Sequence, residues 1–452
     1  MSTNNLYKKV LNTPKRFKLN HYGNLSLNIR AWALFLFVIF NISALQKVQA
    51  QAPMTEYISP SIKTVQFHRQ GWPFSYPLIR LNSDQVLQLS FDEPGSSTIS
   101  YNYTIVHCNA NWEPSPLMPT DYIGGNPIHP ITDYQYSFNT TFDYVHYRLT
   151  FPNASMRPLR SGNYMLLVFE NYDQENPVLT KKFMVHEPQV QIIPHIRNTA
   201  QSAIRGSHQE INFEIDHKGF TIHNPNEEIS VTIMQNGRTD NKITGLKPQF
   251  FGGDKMDFNY TRETIMEGGN EFRYLDIRST RFYSDRVEHI ELVDPFFHVS
   301  TVPDFPRNPS SYQYRQDLNG RYYIEVDDKN NDELEADYLF VHFRLMIDRP
   351  QPSQKVFLNG ALTNWALNSY SEMKYDADNN AYRLSLLLKQ GYYNYQFLVV
   401  EQGETAGQLF PMENSFHQTE NDYLILVYYK NFNDRSHRLV GAQVVNSVRR
   451  DE

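Results

Sequence analysis

Cysteine is almost missing: Cys108 stands alone among 452 residues, which excludes any intrachain disulfide. Secreted eukaryotic domains are commonly disulfide-stapled, whereas large bacterial periplasmic domains can rely on their cores. Tryptophan is scarce as well, 4 residues against 30 Tyr and 29 Phe. That weighting favours β structure, because Tyr and Phe suit the pleated, half-buried surface of a sheet. Catalytic signatures are absent too. The chain has no G-x-S-x-G elbow, no G-x-x-x-x-G-K-[ST] loop, no G-x-G-x-x-G fingerprint and no H-E-x-x-H helix. Enzymes that need only two spaced carboxylates escape this test, but nothing singles out such a pair.

Acidic residues are missing from the first fifty positions, which carry Lys8, Lys9, Lys15, Arg16, Lys18, Arg30 and Lys47. The apolar run from Ala31 to Leu45 follows, and then Val48-Gln49-Ala50. A basic lead, an apolar stretch and small residues before a cleavage point make a secretory signal peptide over 1–50, cut between Ala50 and Gln51. A permanent anchor needs about 20 apolar residues, more than this run provides. No cysteine lies near the site to carry a lipid. Without residues 1–50 the chain keeps 35 basic against 49 acidic residues, a net charge near −14. That balance argues against nucleic acid, whose phosphates need clustered Lys and Arg. No second apolar run is long enough to span a membrane, so a soluble periplasmic chain is expected.

Length implies several domains. Period-two alternation dominates, as in Tyr101, Tyr103 and Ile105, in Ile211, Phe213 and Ile215, and in Ile229, Val231 and Ile233. The expected fold is all-β, a tandem of immunoglobulin- or fibronectin-like sandwiches. Residues 51–187 form the first and 188–302 a second β-rich unit. The Pro-rich stretch 303–311 reads as a semi-rigid linker, 312–440 as a third sandwich and 441–452 as a flexible tail.

Local chemistry offers few alternatives. His107-Cys108 ends a strand, where a free cysteine packs as a small hydrophobe. Asp328–Asp332 and Asp376–Asn380 space oxygen ligands alternately, but lack the glycine and glutamate of a calcium hand. No cofactor or metal is expected. The stretch Val356–Trp365, with Gly391-Tyr-Tyr-Asn-Tyr395, resembles the early-set, glycogen-binding sandwich. In such modules a tryptophan like Trp365 mainly packs. A periplasmic carbohydrate-binding protein is therefore the alternative function.

A larger resemblance covers nearly all of the chain after residue 50. Tyr103–Trp112, Ser115-Pro-Leu117, Asp133–Thr140, Tyr144–Tyr147, Phe151-Pro-Asn153, Ser161–Tyr164 and Phe183–Val185 form an ordered set. With Lys389–Tyr395 and Thr419–Tyr429, it resembles the type IX secretion system plug protein family, long catalogued as a domain of unknown function. The resemblance implies a non-enzymatic periplasmic protein that docks on the outer-membrane β-barrel translocon of that system and seals its empty pore. Trp112, Ser137, Asn139, Thr140, Gly162, Trp365 and Gly391 are the motif positions to locate, serving either turns and corners or an interface.

Overall fold

The computed structural model describes residues 52–307 and 311–448, and nearly every regular element is a strand. The cleavage site between Ala50 and Gln51 lies outside the described residues. No helix among the described residues is long and apolar enough to cross a membrane.

Side-chain alternation decides where each strand goes. In Gly162–Glu170, Tyr164, Leu166 and Val168 enter one apolar cluster, while Met165, Leu167 and Phe169 enter another. A strand covered on both faces reads as a continuous apolar run, as this one does. Two sheets enclose the first cluster. One orders Tyr57–Ile58, Leu179–His186, Gly162–Glu170, Tyr101–Cys108 and His129–Pro130, with Leu78–Arg80 parallel to Leu179–His186. The other orders Lys63–Arg69, Leu87–Pro94, Tyr144–Phe151 and Asp133–Tyr136. Between them Phe91 stacks on Tyr147 at 5.2 Å, and Tyr101 meets both rings edge-on. Such pairs add about 0.5–1.5 kcal/mol each beyond burial, which explains the aromatic-rich composition.

The second sandwich is assembled from distant parts of the chain. Gln191–Asn198 and His208–Asp216 begin one sheet, which Lys255–Asp257, Phe250–Gly252 and Ile265–Glu267 complete. The opposing sheet orders Ile243–Leu246, Ile229–Gln235, Asp422–Tyr429 and Arg438–Asn446. Tyr423, Ile425 and Val427 therefore share a core with Ile211, Phe213 and Ile215.

The third sandwich is inserted before that return. Gly391–Glu401 pairs with Arg273–Asp276, Tyr322–Ile324 and Gln354–Asn359. It faces a sheet of Val287–Val293, Phe296–Thr301, Tyr338–Met346, Ala381–Lys389 and Lys374–Asp376.

These pairings correct the boundaries read from the sequence. Residues 273–301, assigned to the unit 188–302, pair within the third sandwich, and 422–440, assigned to 312–440, complete the second. Alternation locates strands but does not name their partners. The described part of the 303–311 stretch is no free spacer, since Asp304 is buried and bridges Leu345. Residues 441–446 belong to a sheet-edge strand rather than a loose tail. Residues 308–310 and 449–452 lie outside the described residues.

Candidate functional site

The chain's polar chemistry concentrates where sandwiches meet. Asp92, on Leu87–Pro94, accepts hydrogen bonds from three directions: His146 Nδ1 at 2.6 Å, Lys389 Nζ at 2.7 Å and the Tyr338 hydroxyl at 2.7 Å. Asp92 and His146 belong to the first sandwich, Tyr338 and Lys389 to the third. Asp92 and Lys389 side chains are each only 1% exposed. Burial opposes the carboxylate charge, but Lys389 and His146 hold the Asp92 carboxyl below its ordinary value. Burial pulls the Lys389 ammonium down, with Asp92 opposing. Lys389 also donates to Glu333 O at 2.6 Å and lies 4.1 Å over the Tyr144 ring. A buried charge pair is tolerated only when its remaining hydrogen-bonding capacity is met, as it is here.

Three motif residues lie beside this network. Ser137 Oγ accepts from Tyr144 N at 2.9 Å and from Thr140 Oγ1 at 3.3 Å, closing a tight turn. Asn139, with φ of 55°, donates to Glu335 Oε1 at 2.9 Å, and its carbonyl accepts from Lys329 Nζ at 2.9 Å. Thr141 N reaches Asp337 Oδ1 at 2.6 Å. The turn 137–141 thus grips the acidic loop 329–337 of the third sandwich. Lys329 Nζ also binds Asp337 Oδ2 at 2.9 Å and Glu335 O at 2.7 Å, so an ammonium occupies the space between that loop's oxygens. Among the described residues no cluster of three or more His, Cys, Asp or Glu could hold a metal ion.

Gly162 and Trp112 serve the first sandwich's other side. Gly162 has φ of 147°, and a Cβ there would overlap the His107 ring. His107 Nε2 donates to Ser161 O at 3.2 Å, which leaves Nδ1 to accept from Ser115 Oγ at 2.9 Å. Burial pushes the His107 imidazole down to about 4. The Cys108 thiol, also buried, is pushed up to about 12. Neither is poised as a base–thiolate pair. Trp112, with φ of 68°, packs on the cluster joining the first and second sandwiches, beneath the Lys182 ammonium at 4.7 Å. That cluster contains Leu424, Leu426 and Tyr428, the faces of Asp422–Tyr429 turned away from the second core. The Tyr428 hydroxyl donates to Asn163 Oδ1 at 2.9 Å across the joint.

Trp365 and Gly391 lie on the third sandwich. Trp365 is half-buried, edge-on to Phe272 at 6.1 Å, and its ring would meet a Cβ at either Gly237 or Gly320. The indole therefore packs at the joint with the second sandwich. Gly391 lets Gly391–Glu401 approach Tyr322–Ile324, since a Cβ there would overlap Tyr323 O.

Sequence reasoning missed the Asp92–Lys389 pair and a second ionic cluster in the third sandwich. In that cluster Arg273 joins Asp304 at 2.8 Å and Glu413 at 2.9 Å, and Arg286 and the Tyr395 hydroxyl also bind Asp304. Asp92 and Lys389 are 297 positions apart and Arg273 and Glu413 140 apart, and no local signal marks them.

The arrangement defines an all-β protein of three interlocked sandwiches, whose buried polar groups fasten one sandwich to another. Residues 62–187 match the family described as the type 9 secretion system plug protein, first domain. A crystal structure of a hypothetical protein from Parabacteroides merdae ATCC 43184, at 2.30 Å resolution, is similar over 88% of this chain and 100% of that one, with 36% identity and a TM-score of 0.85. No curated protein matches the chain. The chain belongs to the type IX secretion system plug family, and its role lies in type IX secretion.

Proposed function

We propose that this chain is a non-enzymatic, exported periplasmic subunit that docks on the outer-membrane translocon of the type IX system and seals its pore when no substrate occupies it. The family match over 62–187 carries this reading. Physical features support it. A seal across a wide pore needs a large surface that does not deform, and the strand Asp422–Tyr429 ties two sandwiches through opposite faces. The buried Asp92–Lys389 network ties the third to the first. Sealing requires no chemistry, and the polar clusters described above are spent on joints and on the interior of the third sandwich. An interface that forms and releases should be moderate in size and largely polar.

The test is outer-membrane leakiness to a large antibiotic in cells lacking this gene, with and without the secretion substrates. Cells lacking both should leak through an open barrel. Cells lacking only this protein should leak less, because transiting substrate fills part of the pores. Unchanged permeability in the double deletion would refute the sealing role.

A further inference from the structure

An open groove of about 630 Å³ lies where the three sandwiches converge, between Trp72 and Phe74 on one side and Val444 on the other. Past His186 and Gln443 it continues into a second hollow of about 550 Å³. One wall is a sheet edge. Arg438–Asn446 is the terminal strand of its sheet, and the N–H groups of Glu187, Gln189 and Val190 cover it only at Leu439 and Val440. From Gly441 to Val445, among the described residues, its outer side receives no hydrogen bond. Exposed edges are normally guarded by charge or proline, yet this stretch reads Gly-Ala-Gln-Val-Val.

The opposite wall is aromatic and held in place. Trp72 is 63% exposed under the Arg69 guanidinium at 4.2 Å, and Phe74 meets Tyr323 edge-on at 6.1 Å. Exposed but positioned aromatics lose little entropy on binding and act as anchors. The groove's charge departs from that of the acidic chain around it. Arg69 lines it, and Arg80, outside the lining, is exposed and pairs in register with the lining residue His186. Neither forms an ion pair among the described residues, whereas Arg321 in the lining is paired with Asp422. Both unpaired guanidiniums bear on His186, whose Nδ1 is buried without a hydrogen-bond partner.

We propose that this groove receives an extended acidic segment of the translocon, added as a strand along Gly441–Val445, with a carboxylate at Arg69 and Arg80 and an apolar side chain against Trp72 and Phe74. Strand addition supplies main-chain hydrogen bonds, and the arginines supply selection by charge. The inference rests on the docking reading above.

The test uses the full chain in its own cells. A photo-crosslinking residue replaces Trp72, Val444 or, as a control, Tyr172, which is exposed on a loop at the other end of Leu179–His186. Crosslinks to the translocon are expected from the first two positions and not from the third. Trp72→Ala and the pair Arg69→Glu with Arg80→Glu should each lower co-purified translocon at least about tenfold, with unfolding midpoints unchanged. If wild type co-purifies with the translocon but the variants do so equally, or the crosslinks come only from Tyr172, the groove is not the docking site and the docking reading stands. If wild type itself brings down no translocon, both fail.

Discussion

Replacing Lys389 by Met keeps most of the side-chain stem and removes one charge from the joint between the first and third sandwiches. Asp92 would keep His146 and Tyr338 as donors, but lose the ammonium 2.7 Å away. Removing one partner of a buried pair costs roughly 3–5 kcal/mol, because a charge is left uncompensated. The two surviving donors place Lys389→Met near the lower end, about 3 kcal/mol. Asp92→Asn combined with Lys389→Met removes both charges and should be less destabilised than the single variant, since desolvation is no longer imposed on a lone ion. Urea unfolding followed by far-ultraviolet circular dichroism and aromatic fluorescence measures both. A single variant within about 1 kcal/mol of wild type would refute the reasoning. So would a double variant that loses the sum of the single losses.

The same substitution carries a pH signature. In the wild type the Asp92 carboxyl is held below its ordinary value of 3.8, so its stabilising share is present above that pH and lost as pH falls through the folded value. Without Lys389 the main opposing charge is gone, and burial pushes the carboxyl up instead. Protonation then relieves the variant while it weakens the wild type. The stability gap between them should therefore shrink toward pH 4, and a gap that widens would contradict the assignment.

Two further outcomes follow from other close contacts. Gly391→Ala should destabilise by roughly 2 kcal/mol or more, because the new methyl meets backbone at Tyr323 rather than a side chain that can turn away; equilibrium unfolding checks it. Glu271, buried beside Tyr312, Asp317, Glu420 and Arg307, has its carboxyl pushed up to about 7, chiefly by burial, and Asp317 to about 6. A raised folded value means that the folded state holds protons the unfolded state has released, so stability should fall as pH rises from 4.5 toward 7; Glu271→Gln should flatten that decline by roughly 1–2 kcal/mol, read as urea midpoints at pH 5 and pH 8.

Much of the fold was legible because the strands advertise themselves. Tyr338–Met346 alternates in burial as written, Tyr101, Tyr103 and Ile105 share one core, and Asn236-Gly237 turns with φ of 52° and 88°, the left-handed pair that favours those residues. Arg438–Asn446 escaped notice because Gly441, Gln443 and Asn446 interrupt its apolar residues, and a register shift where Val427 and Tyr428 pair with it disturbs the alternation. The motif residues could be picked out as positions, but the contacts they make were not in the sequence. Gly162 is glycine because His107 lies against it, and Asn139 matters through Glu335, 196 positions away. Lys389 reads locally as a polar residue before a turn, and nothing near it announces Asp92.

The inserted third sandwich has a mechanical consequence. Because the second sandwich is completed by Asp422–Tyr429 and Arg438–Asn446, the chain enters the third sandwich from Ile265–Glu267 and leaves it into Asp422–Tyr429, both strands of the second. Swinging the third sandwich outward would strain the crossing near Gly268–Asn270, where Asn421 Nδ2 donates to Gly268 O at 2.8 Å and Thr419 Oγ1 to Gly269 O at 2.7 Å. It would also break the Asp92 network and expose its charges, at a cost of several kcal/mol. A chain built this way has little reason to open by internal hinging. On the proposed reading it would leave the pore as a rigid body, and the weak link would be the docking contact. That favours an interface made of a few aromatic and charged anchors, whose release can be tuned without disturbing the fold.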